Sequence, residues 1–174
     1  MVDTNILQSK KILIVDDEPD ILETLVDILD MCFIDTAQNF ESAKQFLEEK
    51  TYDAAIFDIM GVNGYELLTV AQKNNIPALM LTAHALNPLS LVKSLKSGAR
   101  AYLPKDKMVE IDVYMADLLI AIQKGIKKSG GWFAKLKPFF DEKFGPGWKE
   151  KDKVFWQDFD NQYVVSKDEL GSIL

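Results

Sequence analysis

Short apolar runs recur along the first two thirds of the chain, most followed directly by a polar residue and then by apolar positions at helical spacing. Lys11–Val15, Ala54–Phe57, Ala78–Leu81 and Ala101–Leu103 are the clearest, and Phe33–Ala37 is a weaker fifth run. Runs of this length without alternation read as strands buried on both faces. Between them, Ile21, Leu22, Leu25, Val26 and Leu29 form one helical stripe behind Pro19, which suits a first helical turn. Phe40, Ala43, Phe46 and Leu47 form a second behind Asn39, a cap residue. Leu67, Leu68 and Ala71 mark a third helix, ended by Asn74-Asn75. Pro88 opens a fourth that Gly98 closes, and a fifth is predicted from about 109 to 128 with Ile111, Met115, Leu118, Leu119 and Ile122 inward.

Five strand–helix units predict an α/β fold, a five-stranded parallel sheet, doubly wound, with helices on both faces. The common strand order for five such units is 2-1-3-4-5, the flavodoxin-like arrangement. Residues 1–9 are then a leader, 10–128 the domain and 129–174 an extension of short C-terminal helices. From Trp132 onward the pattern changes: this stretch holds 10 of the 18 aromatic residues and all three tryptophans. Pro138 predicts two short helices or one kinked helix there, gathering Phe133, Leu136, Phe140 and Phe144. After the Gly145-Pro146-Gly147 turn, Trp148, Phe155, Phe159 and Tyr163 recur on one face, and Ser166 with Glu169 has capping-box spacing.

Composition narrows the setting. With 48% hydrophobic and 27% charged residues the chain has the balance of a soluble globular protein. No stretch approaches the roughly 20 apolar residues of a membrane span. Met1 to Lys10 lacks the basic start and apolar core of a secretory signal, so a cytoplasmic setting is expected. Cys32, alone, cannot form an internal disulfide and is expected to serve as packing. The net charge of −7 is uneven: −9 over residues 1–123, +5 over 124–153 and −3 over 154–174. The acidic body repels nucleic-acid phosphates, so no nucleic-acid partner is expected. About 45 residues of extension, less its turns, are too few for a standard DNA-binding output domain.

The candidate chemistry stands where the strands end. Ligands of open parallel sheets bind at the carboxyl ends of the strands. Asp16-Asp17 follow the first strand, Asp58 the third, Thr82 the fourth, and Pro104-Lys105 the fifth. Three crowded carboxylates raise one another's pKa, and a hard divalent cation such as Mg²⁺ relieves the repulsion. One oxygen of Asp58 could attack phosphorus, with Lys105 and Thr82 meeting the charge of a phosphoryl transition state. Taken singly, the acidic pair could be a helix N-terminal feature, Thr82 a cap, Lys105 a surface lysine and His84 a loop residue.

Together, Asp16-Asp17, Asp58, Thr82-Ala83 and Tyr102-Leu103-Pro104-Lys105 resemble the receiver domain of two-component response regulators over roughly residues 10–128. The resemblance implies that Asp58 accepts a phosphoryl group from the histidine of a sensor kinase or phosphotransfer protein. It implies Mg²⁺ bound directly by Asp17, Asp58 and the Met60 backbone carbonyl, and through water by Asp16. It also implies that Thr82 swings to the phosphate, that Tyr102 turns inward with it, and that small Ala83 leaves access open. A downstream protein target, and a homodimer through helix four, strand five and helix five, are partners in keeping with it. Met60 and His84 stand where family members tune hydrolysis. The chain departs from the family pattern twice. Ile59-Met60-Gly61-Val62-Asn63-Gly64 is a shorter loop without the usual proline, and Asp106 replaces the proline that usually follows the lysine.

Two rivals share the same carboxylates: an Mg²⁺-dependent phosphohydrolase using Asp58 as a transient nucleophile, and a receiver-like scaffold that does not use phosphorylation. For the aromatic extension the expected role is packing against the domain or on itself. A partner surface comes next. The interleaved lysines also suit nucleic acid or an anionic membrane, against which the acidic remainder counts.

Overall fold

The five apolar runs pair as strands in a computed structural model of the chain, which describes residues 2–163. They are β1 (Lys11–Val15), β2 (Phe33–Ala37), β3 (Ala54–Asp58), β4 (Ala78–Thr82) and β5 (Ala101–Pro104), all parallel, in the order β2-β1-β3-β4-β5. β3 and β4 are buried along their whole length, which is why they carry no alternation. β2 is an edge strand with Phe33 exposed, which explains its weaker pattern. Val15 pairs with Phe57, Asp58 with Leu81, and Thr82 with Pro104, so the strands end level with one another. Strand order reverses between β1 and β3, the place where open sheets of this kind bind ligands at their carboxyl edge.

Helices α1 (Pro19–Ile28), α2 (Phe40–Glu49), α3 (Gly64–Lys73), α4 (Pro88–Lys96) and α5 (Ile111–Gln123) connect and cover the sheet. Asn39 caps α2 by accepting from Ser42 N–H at 2.9 Å, and Asn87 caps α4 by accepting from Ser90 N–H at 2.8 Å. The fifth helix is shorter than its sequence pattern. A 3-10 turn, Lys105–Glu110, precedes it, and Gly125 at φ +73° follows its end. The leader is partly structural: Thr4–Leu7 forms a 3-10 turn against α5, and Leu7 is fully buried. Cys32 is half-buried rather than fully packed, its thiol donating to the Leu7 carbonyl at 3.4 Å. Burial, with the Asp30 and Asp53 charges behind it, pushes that thiol up to about 11, so it is a weak nucleophile.

The extension forms α6 (Gly131–Phe144), a 3-10 turn (Trp148–Asp152) and α7 (Lys153–Gln162). One helix runs through Pro138, so the two-helix alternative does not hold. Pro138 is exposed, and its ring interrupts the backbone ladder on the side where water can satisfy the freed carbonyl. The inner side buries Trp132, Phe133, Leu136 and Phe140 in continuity with the main core. Trp156, absent from the expected aromatic face, is buried at its centre, 5.1 Å from both Phe133 and Trp148. The Ser166–Glu169 capping pattern lies outside the described residues.

Candidate functional site at the strand ends

The backbone turn after β1 builds the acidic corner. Asp16 Oδ1 accepts from Glu18 N–H at 2.9 Å, fixing the carboxylate just before Pro19 starts α1. Asp16 is only 1% exposed, whereas Asp17 and Glu18 face solvent. Oxygens of Asp16, Asp17 and Glu18 lie within 4.8 Å of one another. Asp58, 5% exposed, ends β3 beside this corner.

Lys105 closes the arrangement from β5. Its Nζ stands 2.8 Å from Asp16 Oδ2, 3.4 Å from Glu18 Oε1 and 3.5 Å from Asp58 Oδ1. The contact to Asp16 Oδ2, between two buried groups, is the shortest of the three. Burial pulls the ammonium down, but hydrogen bonding to Asp16 and the charges of Asp58, Asp16 and Glu18 outweigh it and keep it above the usual lysine range. The Asp106 that follows in the chain therefore does not prevent the lysine from reaching both aspartates.

Burial raises the Asp58 carboxyl first, then the Asp16 charge, and more weakly Asp17; against the pull of Lys105 it reaches about 7. Burial likewise raises Asp16, with Lys105 opposing. Two buried carboxylates and one ammonium leave a surplus of negative charge. That surplus, on an oxygen-only donor set, fits a hard divalent cation. Gly61 supports that geometry: at φ +87° it lies so close to Asp17 that an added Cβ would stand 2.6 Å from its Oδ2. At Gly64 a Cβ would meet the Asp58 carbonyl at 2.3 Å, so the short loop wraps tightly over the end of β3.

Thr82 is fully buried, and its Oγ1 accepts from Ala85 N–H at 2.9 Å. Ala83 and His84 are exposed beside it, and Met60 is 53% exposed on the loop after β3. Tyr102 is already fully buried, with its hydroxyl donating to the Ala85 carbonyl at 2.8 Å. An exposed ring turning inward is therefore not open to it, because Phe140 of α6 lies over it at 6.1 Å between ring centroids. Glu18 is the site residue that sequence reading missed. It is third in the acidic run Asp16-Asp17-Glu18, and only the turn before Pro19 reveals that it reaches Lys105.

The chain belongs to the response regulator receiver domain family, whose model matches residues 12–117. Receiver domains of this family work in two-component systems with histidine kinases or phosphotransfer proteins. The chain is similar to the two-component response regulator ARR18 of Arabidopsis thaliana, 30% identical over 152 residues, covering 83% of this chain and 23% of that protein. It is also similar to the transcriptional regulatory protein CpxR homolog of Haemophilus influenzae, 36% identical over 100 residues, 55% of this chain and 43% of that one. The chain thus spans less than half the length of these relatives. Among solved structures, a CheY-like response regulator receiver domain protein from Methanospirillum hungatei superposes with a TM-score of 0.62 at 28% identity, covering 68% of this chain and 99% of that one.

Proposed function

We propose that Asp58 is the phosphoacceptor of a signalling switch, carried by the domain of residues 10–128. The reading rests above all on Lys105, which joins buried Asp16 and Asp58 at the level ends of β1 and β3. An Asp58 oxygen attacks the phosphorus of a phosphohistidine on a kinase or phosphotransfer protein. The P–N bond breaks as the Asp58 O–P bond forms, and the departing imidazole takes a proton. Asp17, Asp58 and the Met60 carbonyl, together with Asp16, would hold Mg²⁺, which would supply positive charge to the equatorial phosphoryl oxygens. Lys105 meets the same charge from the other side, and the Thr82 hydroxyl donates to one of those oxygens. Exposed Ala83 leaves the approach open, while Met60 and His84 flank the path of an attacking water and set how long the phosphoryl group persists.

The new group adds about −1.5 to −2 charge at a buried position. Its effect passes through Thr82 and Tyr102 to a protein-binding surface, so the output is contact with a protein target rather than turnover of an outside substrate. No described helix is long and apolar enough to cross a membrane, and a kinase partner fits a cytoplasmic setting. A homodimer through α4, β5 and α5 would first have to displace α6, which packs on β5 and α5.

Acetyl phosphate with Mg²⁺ is expected to add one phosphoryl group per chain by intact mass, and none when the metal is chelated. Continuous phosphate release from an aryl phosphate would sink this reading in favour of a phosphohydrolase. Gly61→Ala is expected to weaken Mg²⁺ binding about tenfold and to lower stability by about 1 kcal/mol or more. The new Cβ pushes the Asp17 carboxylate aside, and φ +87° is strained for alanine. Thermal shift against Mg²⁺ concentration measures both, and an unchanged half-saturation point would show that Asp17 is not a ligand.

A further inference from the structure

The surface around Tyr102 already has an occupant. Phe140 of α6 is fully buried and packs on the Tyr102 ring. Around it, Lys96 of α4 pairs with Asp152 at 3.3 Å and lies 5.6 Å from the Phe155 ring, and Lys107 lies 5.6 Å from the Phe139 ring. The link to α6 is pinned as well: the Arg100 guanidinium donates to the carbonyls of Ile126 at 3.2 Å and Lys127 at 3.0 Å. Of these, the Lys96–Asp152 pair is an exposed ion pair and the two lysine–ring contacts are single cation–π contacts, each worth about 1 kcal/mol or less. The buried Tyr102–Phe140 contact is the firm centre of the seat.

That centre is tied to the phosphorylation site through one residue, Ala85. The Ala85 N–H donates to Thr82 Oγ1, and the Ala85 carbonyl accepts from Tyr102 OH. Thr82 and Tyr102 thus hold the two ends of the same residue. A Thr82 hydroxyl that turns to a phosphoryl oxygen on Asp58 leaves the Ala85 N–H. The loop that carries the Tyr102 acceptor then shifts, and the ring under Phe140 shifts with it.

We propose that α6 and α7 are the resident, covalently tethered partner of the Tyr102 surface, and that phosphorylation of Asp58 loosens them through Thr82, Ala85, Tyr102 and Phe140. The inference rests on Asp58 as phosphoacceptor and adds what that event controls: release of the aromatic inner side of α6 and exposure of the surface beneath it. Linkage makes the effect reciprocal, so a chain whose α6 is poorly seated takes up the phosphoryl group more readily.

The test is hydrogen exchange by mass spectrometry on the full chain, with and without acetyl phosphate and Mg²⁺, with intact mass on the same samples. In the phosphorylated chain, α6 amides are expected to exchange about fivefold faster or more, at the lower bound of typical coupling between sites. In Phe140→Leu, α6 is expected to exchange fast without phosphorylation, to change little on labelling, and to label faster than the parent. A labelled parent whose α6 exchange is unchanged or slower overturns the inference while leaving Asp58 as acceptor. A Phe140→Leu chain that keeps the parent's full response to labelling also overturns it. An unlabelled parent removes the phosphoacceptor reading and this inference together, and intact mass tells the two failures apart.

Discussion

Asp58→Asn is expected to take up no phosphoryl group and, with Mg²⁺ chelated, to melt at a higher temperature than the parent. An amide oxygen is no match for a carboxylate as a nucleophile, so labelling should fall below detection. The gain in stability has a different origin. Burial and the Asp16 charge raise the Asp58 carboxyl to about 7 in the folded chain, against about 3.9 in an unfolded one. Between those values the folded state binds the proton more tightly. The stabilisation from that proton is full below about pH 4 and is lost as pH rises through about 7. At pH 8 the metal-free parent therefore carries a poorly compensated buried charge, which asparagine removes, and Lys105 keeps Asp16 and Glu18 as partners. The expected advantage of Asp58→Asn is about 4 kcal/mol at pH 8 and less than half of that at pH 5. For a chain of this size that is roughly 8–16 °C in melting temperature. Scanning calorimetry in chelator at both pH values measures it, and equal shifts at pH 5 and pH 8 would refute the electrostatic origin. Saturating Mg²⁺ should favour the parent instead, because a cation that binds only the folded state adds stability by mass action.

Phe133→Ala is expected to lower the stability of the extension by about 3–5 kcal/mol, the usual loss for a buried phenylalanine. Phe133 is the hub of the aromatic cluster. Its ring centroid lies 4.8 Å from Phe159, 5.1 Å from Trp156, 5.7 Å from Trp132 and 5.9 Å from Phe140. Lys149 Nζ adds a cation–π contact at 5.0 Å from the same ring and one at 4.9 Å from Trp156. Removing the ring leaves a cavity where α6, α7 and the turn between them meet, and edge-to-face pairs are lost beyond the buried area. Trp132, Trp148 and Trp156 all lie in this region, so tryptophan emission should report its melting well before far-UV circular dichroism reports loss of the sheet. Coincident transitions at the parent's midpoint would show that the cluster does not hold the extension. By contrast, Phe33→Ala, at an edge-strand position 64% exposed, should change stability by no more than about 0.5 kcal/mol.

The fold was legible because strands and helices carry different periods. Ile12-Leu13-Ile14-Val15 and Ala54-Ala55-Ile56-Phe57 are apolar without a break since both faces of β1 and β3 are covered. Asp16, Asp58, Thr82 and Lys105 were legible together because a parallel sheet brings successive strand ends to one edge. What stayed hidden depends on tertiary contact. Glu18 reaches Lys105 only through the turn that Asp16 Oδ1 fixes. Leu7 sits in a stretch too short to show a period, yet α5 buries it. Tyr102 reads as a switch poised at a surface, but α6 has already covered that surface. Pro138 argues locally against a helix, and exposure of its face lets the helix continue.

The docking of Thr4–Leu7 on α5 sets an order of assembly. These first residues leave the ribosome long before Ile111–Gln123, and their seat does not exist until that helix has formed. The central pairs β1–β2 and β1–β3 can close over shorter loops, with less entropy lost, while synthesis continues. Leu7 is therefore expected to be among the last core side chains to become protected, and the N-terminal turn acts as a late clasp rather than a nucleus.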